Sequence, residues 1–144
     1  MAEAAKAAGK PLPVVDYLIL PENGSPYLQG TKCTSCSAIF LGARSSCSKC
    51  GTRNSFETIK LSNTGKLYAY SIVHRSFPGV PVPYISAVVD LDGGGSVKGN
   101  LINIEADPAN LPFDLPVEVI YQDAQGRKDR EGNSYISFFF QPRK

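Results

Sequence analysis

No stretch of this 144-residue chain approaches the ~18 uninterrupted apolar residues that a membrane-crossing helix needs. The one apolar run near the N-terminus, Val14 to Leu20, is broken by Asp16 and flanked by Pro11, Pro13 and Pro21, so neither a signal-peptide core nor a span is expected there. The expected location is the cytoplasm, where thiols stay reduced. An excess of charge of one sign is missing as well. Fifteen Lys and Arg against thirteen Asp and Glu leave a formal charge of +2, far from the dense basic stripe of a typical nucleic-acid binder. The glycine-rich phosphate loop, GxGxxG and GxSxG are all absent. Histidine occurs once, as His74 beside Arg75, with no nucleophile nearby, and reads as a surface residue rather than a general base. No catalytic residue is therefore assigned.

Cysteine is absent everywhere except residues 33–50, and there it is concentrated. Cys33-Thr-Ser-Cys36 and Cys47-Ser-Lys-Cys50 form the C-x2-C…C-x2-C arrangement of a zinc ribbon. Each turn aims two thiolates at one point, two facing turns complete a tetrahedral S4 shell, and sulfur softness favours zinc or iron. Gly51 after the second pair suits a knuckle that bends toward sulfur, and Ser37 holds the matching place after the first. A pair of disulfides is the alternative, disfavoured in a reducing compartment. A thioredoxin-like role needs one CxxC opening a helix, which the sequence does not supply. Four thiolates close the coordination shell, so the expected zinc is structural, and the short segment around it should not fold without metal.

With 42% hydrophobic and 19% charged residues the chain has the composition of a packed soluble domain. After the cysteines come five segments of strand character, Leu67 to Arg75, Tyr84 to Leu91, Val97 to Ile104, Val117 to Tyr121 and Tyr135 to Gln141. Turn-formers separate them: Phe77-Pro-Gly-Val-Pro-Val-Pro83, the hairpin Asp92-Gly-Gly-Gly95, the excursion Asp107 to Pro112, and a polar hairpin from Asp123 to Asn133. Five strands in this order predict a small Greek-key barrel of the OB type, whose third connection often carries a helix. Here that connection is short and contains proline, so no helix is expected. Helix propensity is clear only over Ala2 to Ala8, too short to be stable in water without support. Gly93 to Gly95 reads as a flexible turn rather than a phosphate cradle. Phe138-Phe139-Phe140 cannot place every ring on one face of a strand, so one ring is expected either exposed or covered, with a partner surface as the alternative to self-filling of the barrel.

Gly30-Thr-Lys-Cys33 leading into the CxxC pairs, followed by Thr64-Gly-Lys-Leu-Tyr-Ala-Tyr-Ser71, Val73-His-Arg75, Pro83-Tyr-Ile-Ser-Ala-Val-Val-Asp-Leu91 and Leu115-Pro-Val-Glu-Val119, resembles a known family. It is similar to the rubredoxin-like zinc ribbon plus OB-fold proteins that accompany thiolases and related acyl-CoA enzymes, including the small subunits of benzoylsuccinyl-CoA thiolase and steroid side-chain aldolases. The likeness covers about residues 27 to 141 and departs from the family at Ser37, where glycine is usual, and in the N-terminal region. It implies a mainly β chain with an N-terminal extension (1–26), a rubredoxin-like zinc ribbon (27–58) and a five-stranded OB-fold barrel (59–144). It also implies a non-catalytic subunit in a hetero-oligomer with a thiolase-like protein, helping to shape an acyl-CoA site in degradation or condensation. Lys66, Arg75, Lys98 and Arg127 are then the candidate contacts to CoA phosphates. A single-stranded nucleic-acid binder is the rival class, disfavoured because few basic residues accompany Tyr68, Tyr70 and Tyr84, and a stand-alone acyl-CoA binder is a third.

Overall fold

The computed structural model describes residues 11–143; the segment Ala2 to Ala8, with its helix propensity, lies outside them. Among the described residues ten strands run in chain order: β1 (Leu12–Pro13), β2 (Leu18–Ile19), β3 (Tyr27–Cys33), β4 (Ile39–Leu41), β5 (Phe56–Lys60), β6 (Thr64–Val73), β7 (Tyr84–Leu91), β8 (Ser96–Leu101), β9 (Pro116–Lys128) and β10 (Ser134–Pro142). Among the described residues the helical content is one 3-10 turn, Pro108–Asn110, in the connection between β8 and β9, where Asp107 caps it by accepting from the Ala109 N–H at 2.9 Å. No helix there is long and apolar enough to cross a membrane.

The last five long strands close on themselves. Hydrogen-bonded neighbours run β10-β8-β7-β6-β9, and β9 pairs again with β10, so the sheet is a barrel without a free edge between those two strands. Within the barrel all pairs are antiparallel except β8 with β10, which meet in parallel at Asn100↔Phe139 and Leu101↔Phe140, and β1 adds a second parallel pairing on β10 at Leu12↔Tyr135. This is the strand order and sense of the expected OB-type barrel. The cause is visible in β7, whose burial alternates so that Ile85, Ala87, Val89 and Leu91 point inward while Ser86 and Asp90 do not. Val97, Leu101, Val117, Val119, Phe138 and Phe140 complete the interior.

A smaller sheet precedes the barrel. β3 is its spine, pairing β2 at Leu18↔Leu28, β4 at Thr31↔Phe40 and β5 at Thr31↔Thr58, all antiparallel. Leu18, Leu28 and Leu61 from this unit join the barrel residues in one hydrophobic cluster, so the two sheets share a core. The Asp92–Gly95 hairpin reaches across to it. A Cβ on Gly94 would come within 2.7 Å of Ile39 Cδ1, and the backbone there has φ 124°, so both the close approach and the backbone angle call for glycine. Gly94→Ala is expected to cost about 1–3 kcal/mol through backbone strain alone, plus displacement of Ile39, and a urea titration should show it as a lowered midpoint.

Three strand boundaries differ from expectation. β6 starts at Thr64 and stops at Val73, leaving His74 and Arg75 on the following loop, and β8 ends at Leu101 shortly before Asn103 turns at φ 62°. β9 continues far past Tyr121, because a solvent-exposed arm can keep its ladder without apolar alternation. Ser134 pairs with Lys128, and a bulge at Gln125 and Gly126, both at positive φ, absorbs the mismatch in register. The polar hairpin is thereby shortened to a tip that Asp129 closes, accepting from the N–H groups of Glu131 and Asn133 at 2.9 Å.

Candidate metal centre and surrounding surfaces

The first CxxC lies at the turn from β3 to β4, since Cys33 is the last residue of β3. The second lies between β4 and β5 and is pinned at its base by a bridge between Ser46 and Arg53. The two turns have the same backbone. The Ser37 N–H donates to the Cys33 carbonyl at 2.9 Å and the Gly51 N–H to the Cys47 carbonyl at 2.9 Å, with φ of 67° and 81° respectively. Ser37 thus pays the left-handed penalty that Gly51 escapes. Ser37→Gly should raise the melting temperature of the metal-loaded chain by a degree or more, from a net gain of roughly 0.5–1 kcal/mol after the larger unfolded-state entropy of glycine is subtracted, and Gly51→Ala should lower it.

The four sulfurs lie within 4.8 Å of one another. Cys33 Sγ is 3.7 Å from Cys50 Sγ and Cys36 Sγ is 3.5 Å from Cys47 Sγ, far beyond a disulfide bond of about 2.05 Å. A tetrahedral ion with metal–sulfur bonds of ~2.3 Å sets sulfur–sulfur edges of about 3.8 Å, so the donor set fits one metal ion. The ionisation of the thiols differs across the cluster. Backbone N–H groups of Cys50 and Lys49, each 3.4 Å from Cys47 Sγ, hold that thiol below its ordinary range. The Thr52 hydroxyl, 3.0 Å from Cys50 Sγ, and the Thr52 backbone hold Cys50 down to about 6. At Cys36 the Ala38 backbone pulls downward, but burial and the neighbouring thiols outweigh it and leave the group at about 12. Without a cation the cluster keeps protons that a metal ion would displace.

The other predicted site residues do not converge. Lys66 sits opposite Asp90 in the β6–β7 pair and Lys98 opposite Val88 in the β7–β8 pair. Arg75 lies beyond the far end of β6, roughly 20 Å of strand from Lys66. Arg127 alone among the four borders the groove of about 490 Å³ that Lys128, Asn100, Tyr135 and Phe139 also line. The phenylalanine run is closed off within the chain. Phe138 and Phe140 face the barrel interior, Phe139 lies at 5% exposure against the groove on the opposite face, and Tyr17 packs on Phe138 with ring centroids 6.1 Å apart. A partner surface on those three rings is therefore not what the fold presents.

The most exposed rings are others, ahead of Tyr68 at 64%. Phe77 is 83% and Phe113 81% exposed, the first on the proline-rich loop between β6 and β7 and the second on the β8–β9 connection. Phe113 also borders an open groove with Tyr70, Ile72, His74 and Pro108. The sequence carried a signal for Phe77 in its unusual setting, an aromatic ring in a loop whose prolines prevent it from folding back onto a strand; Phe113 had none.

Residues 58–122 match the family described as ChsH2, C-terminal OB-fold domain. A DUF35 domain-containing scaffold protein of Methanocaldococcus jannaschii is 32% identical over 98 residues, 66% of this chain and 67% of that protein. Benzoylsuccinyl-CoA thiolase subunit BbsA of Thauera aromatica is 31% identical over 126 residues, 87% of this chain and 83% of that one. The chain belongs to the DUF35 family. A solved Ltp2-ChsH2(DUF35) aldolase chain superposes on this DUF35 chain with a TM-score of 0.62 at 23% identity, covering 97% of it and 89% of the other, which confirms the fold. The family resemblance read from the cysteine pairs and the barrel phrases is thus borne out.

Proposed function

We propose that this DUF35 chain is a non-catalytic accessory subunit that docks on a thiolase-like protein, forms a hetero-oligomer with it and helps to shape its acyl-CoA site. The observation that carries this reading is the 31% identity spanning 83% of a protein named as a thiolase subunit. In this reading residues 27–58 form the ribbon and 59–144 the barrel, with 1–26 as an extension. The four thiolates hold one structural zinc, preferred for their softness and closed tetrahedral arrangement, and the ion's contribution is to fix the ribbon. Phe77 and Phe113 supply apolar contact to the partner, because exposed aromatic rings carry large apolar area that docking would bury. Arg127, beside Lys128 on the groove, is the basic residue best placed for a CoA phosphate, with Lys66, Arg75 and Lys98 as separate candidates.

The test is purification of the tagged chain from its native host, with mass identification of bound proteins and metal analysis. A thiolase-like protein and about one zinc per chain are expected, and the double substitution Phe77→Ser with Phe113→Ser should release the partner while leaving the zinc. Recovery of the chain alone, or with nucleic acid, would sink the accessory reading.

A further inference from the structure

The four sulfurs are not equally protected. Cys33 and Cys47 are buried, Cys36 is partly covered, and Cys50 is exposed. Cys47 Sγ is further screened by two backbone N–H groups, whereas Cys50 Sγ is met by the Thr52 hydroxyl at 3.0 Å. Cys33 Sγ, on the other knuckle, is 3.7 Å from Cys50 Sγ, and a second close pair, Cys36 with Cys47 at 3.5 Å, also crosses between knuckles. Exposure therefore selects the first sulfur to react, and Cys33, 3.7 Å away on the other knuckle, stands within reach as its partner.

We infer that Cys50 is an oxidative modification site, at which a peroxide converts the metal centre into a Cys33–Cys50 disulfide and ejects the ion. The Cys50 thiolate attacks the O–O bond, giving a sulfenic acid while the leaving hydroxide takes a proton and departs as water. The Cys33 thiolate then displaces hydroxide from the sulfenic sulfur and forms the S–S bond, and that hydroxide too is protonated to water. Two thiolates, one peroxide and two protons give one disulfide and two waters; the two electrons that reduce the peroxide come from the two sulfurs, and no other oxidant is needed. The sulfurs must close from 3.7 Å to about 2.05 Å, which removes half of the metal's ligands at once. Cys36 and Cys47 alone do not hold the ion, and they stand close enough to form the second bridge with a second peroxide. Both bridges tie one knuckle to the other, so the oxidised ribbon keeps its crosslink while losing its ion. The reaction requires the metal centre but not the partner, and it goes beyond the accessory reading.

The experiment uses the full chain loaded with zinc, its metal content measured first, then exposed to hydrogen peroxide at one equivalent. Zinc release is followed with a chromophoric chelator and the linkage by peptide mass mapping. The expected result is loss of two thiols, a Cys33–Cys50 linked peptide, zinc release in step with it, and recovery of both after a thiol reductant and fresh zinc. Thr52→Val, which strips the hydrogen bond from Cys50 Sγ without touching a ligand, should speed release several-fold; Ser46→Ala, near but not on the site, should leave the rate unchanged. Less than about one metal per chain at the outset, bridges within a knuckle (Cys33–Cys36 or Cys47–Cys50), first oxidation at Cys36, or zinc retained after peroxide consumption would each overturn the proposal. None of these outcomes bears on whether the chain copurifies with a thiolase-like protein.

Discussion

Removing the metal with a strong chelator, or replacing Cys47 by serine, should unfold residues around the four cysteines while leaving the barrel's strand ladder largely in place. The ribbon's own buried side chains are few. On β3 they are Leu28, Thr31 and Cys33, and the second knuckle adds Cys47. Thr31 stabilises the sheet by donating its hydroxyl to the Gly42 carbonyl, but one hydrogen bond contributes only about 1 kcal/mol. Zinc bound by such a cluster contributes on the order of 10–16 kcal/mol, which matches or exceeds the whole stability of an ordinary domain. The barrel, closed by β9 with β10 and filled mostly by its own residues, depends far less on the ion. Amide resonances of Cys33 to Cys50 should collapse toward random-coil positions on chelation while those of β7 and β8 persist with altered shifts near Ile39 and Gly94. A chain in which all four cysteines are serine, yet the ribbon resonances keep their dispersion, would show that no metal holds this module.

The parts of this molecule that the sequence made legible are those in which one residue type has few alternative uses. Four cysteines at C-x2-C spacing have almost no other stable arrangement in a reduced protein, and they meet within 4.8 Å. The alternation in β7 and the turn at Asp92 to Gly95 were equally direct, because a half-buried strand and a tight hairpin leave marks of short range. What escaped depended on long-range company. The arm of β9 beyond Tyr121 is polar and becomes a strand only because β10 lies beside it. Residues 138–140 read as an aromatic excess, yet β10 is covered on both faces, so alternate rings are buried in different places. The four basic candidates were collected by type, and nothing in their spacing reveals that the barrel separates them. Ser37 adopts a conformation that its identity disfavours because the carbonyl of Cys33 and the path into β4 leave it no other.

Truncating Phe140 to alanine should destabilise the chain by about 3–5 kcal/mol, whereas the same change at Phe77 should shift stability by no more than about 0.5 kcal/mol. Phe140 has no exposed surface, lies on the strand that joins β8 to β9, and meets Phe138 edge to face with centroids 6.1 Å apart. Its loss removes apolar burial, opens a void that close-packed neighbours cannot fill, and weakens the aromatic contact at the one parallel seam of the barrel. For a domain of this size a loss of that magnitude lowers the melting temperature by roughly 10–20 °C. Phe77, at 83% exposure, has little burial to lose, so its ring contributes to the isolated chain almost nothing that alanine does not. The two substitutions thus separate stability from docking. Phe140→Ala is expected to melt early and to lose the partner only through unfolding, and Phe77→Ala to melt as the parent does while binding the thiolase-like protein less tightly. Equal melting shifts for the two variants would mean that Phe77 folds back onto the barrel in solution, and the apolar contact assigned to it would then have to lie elsewhere.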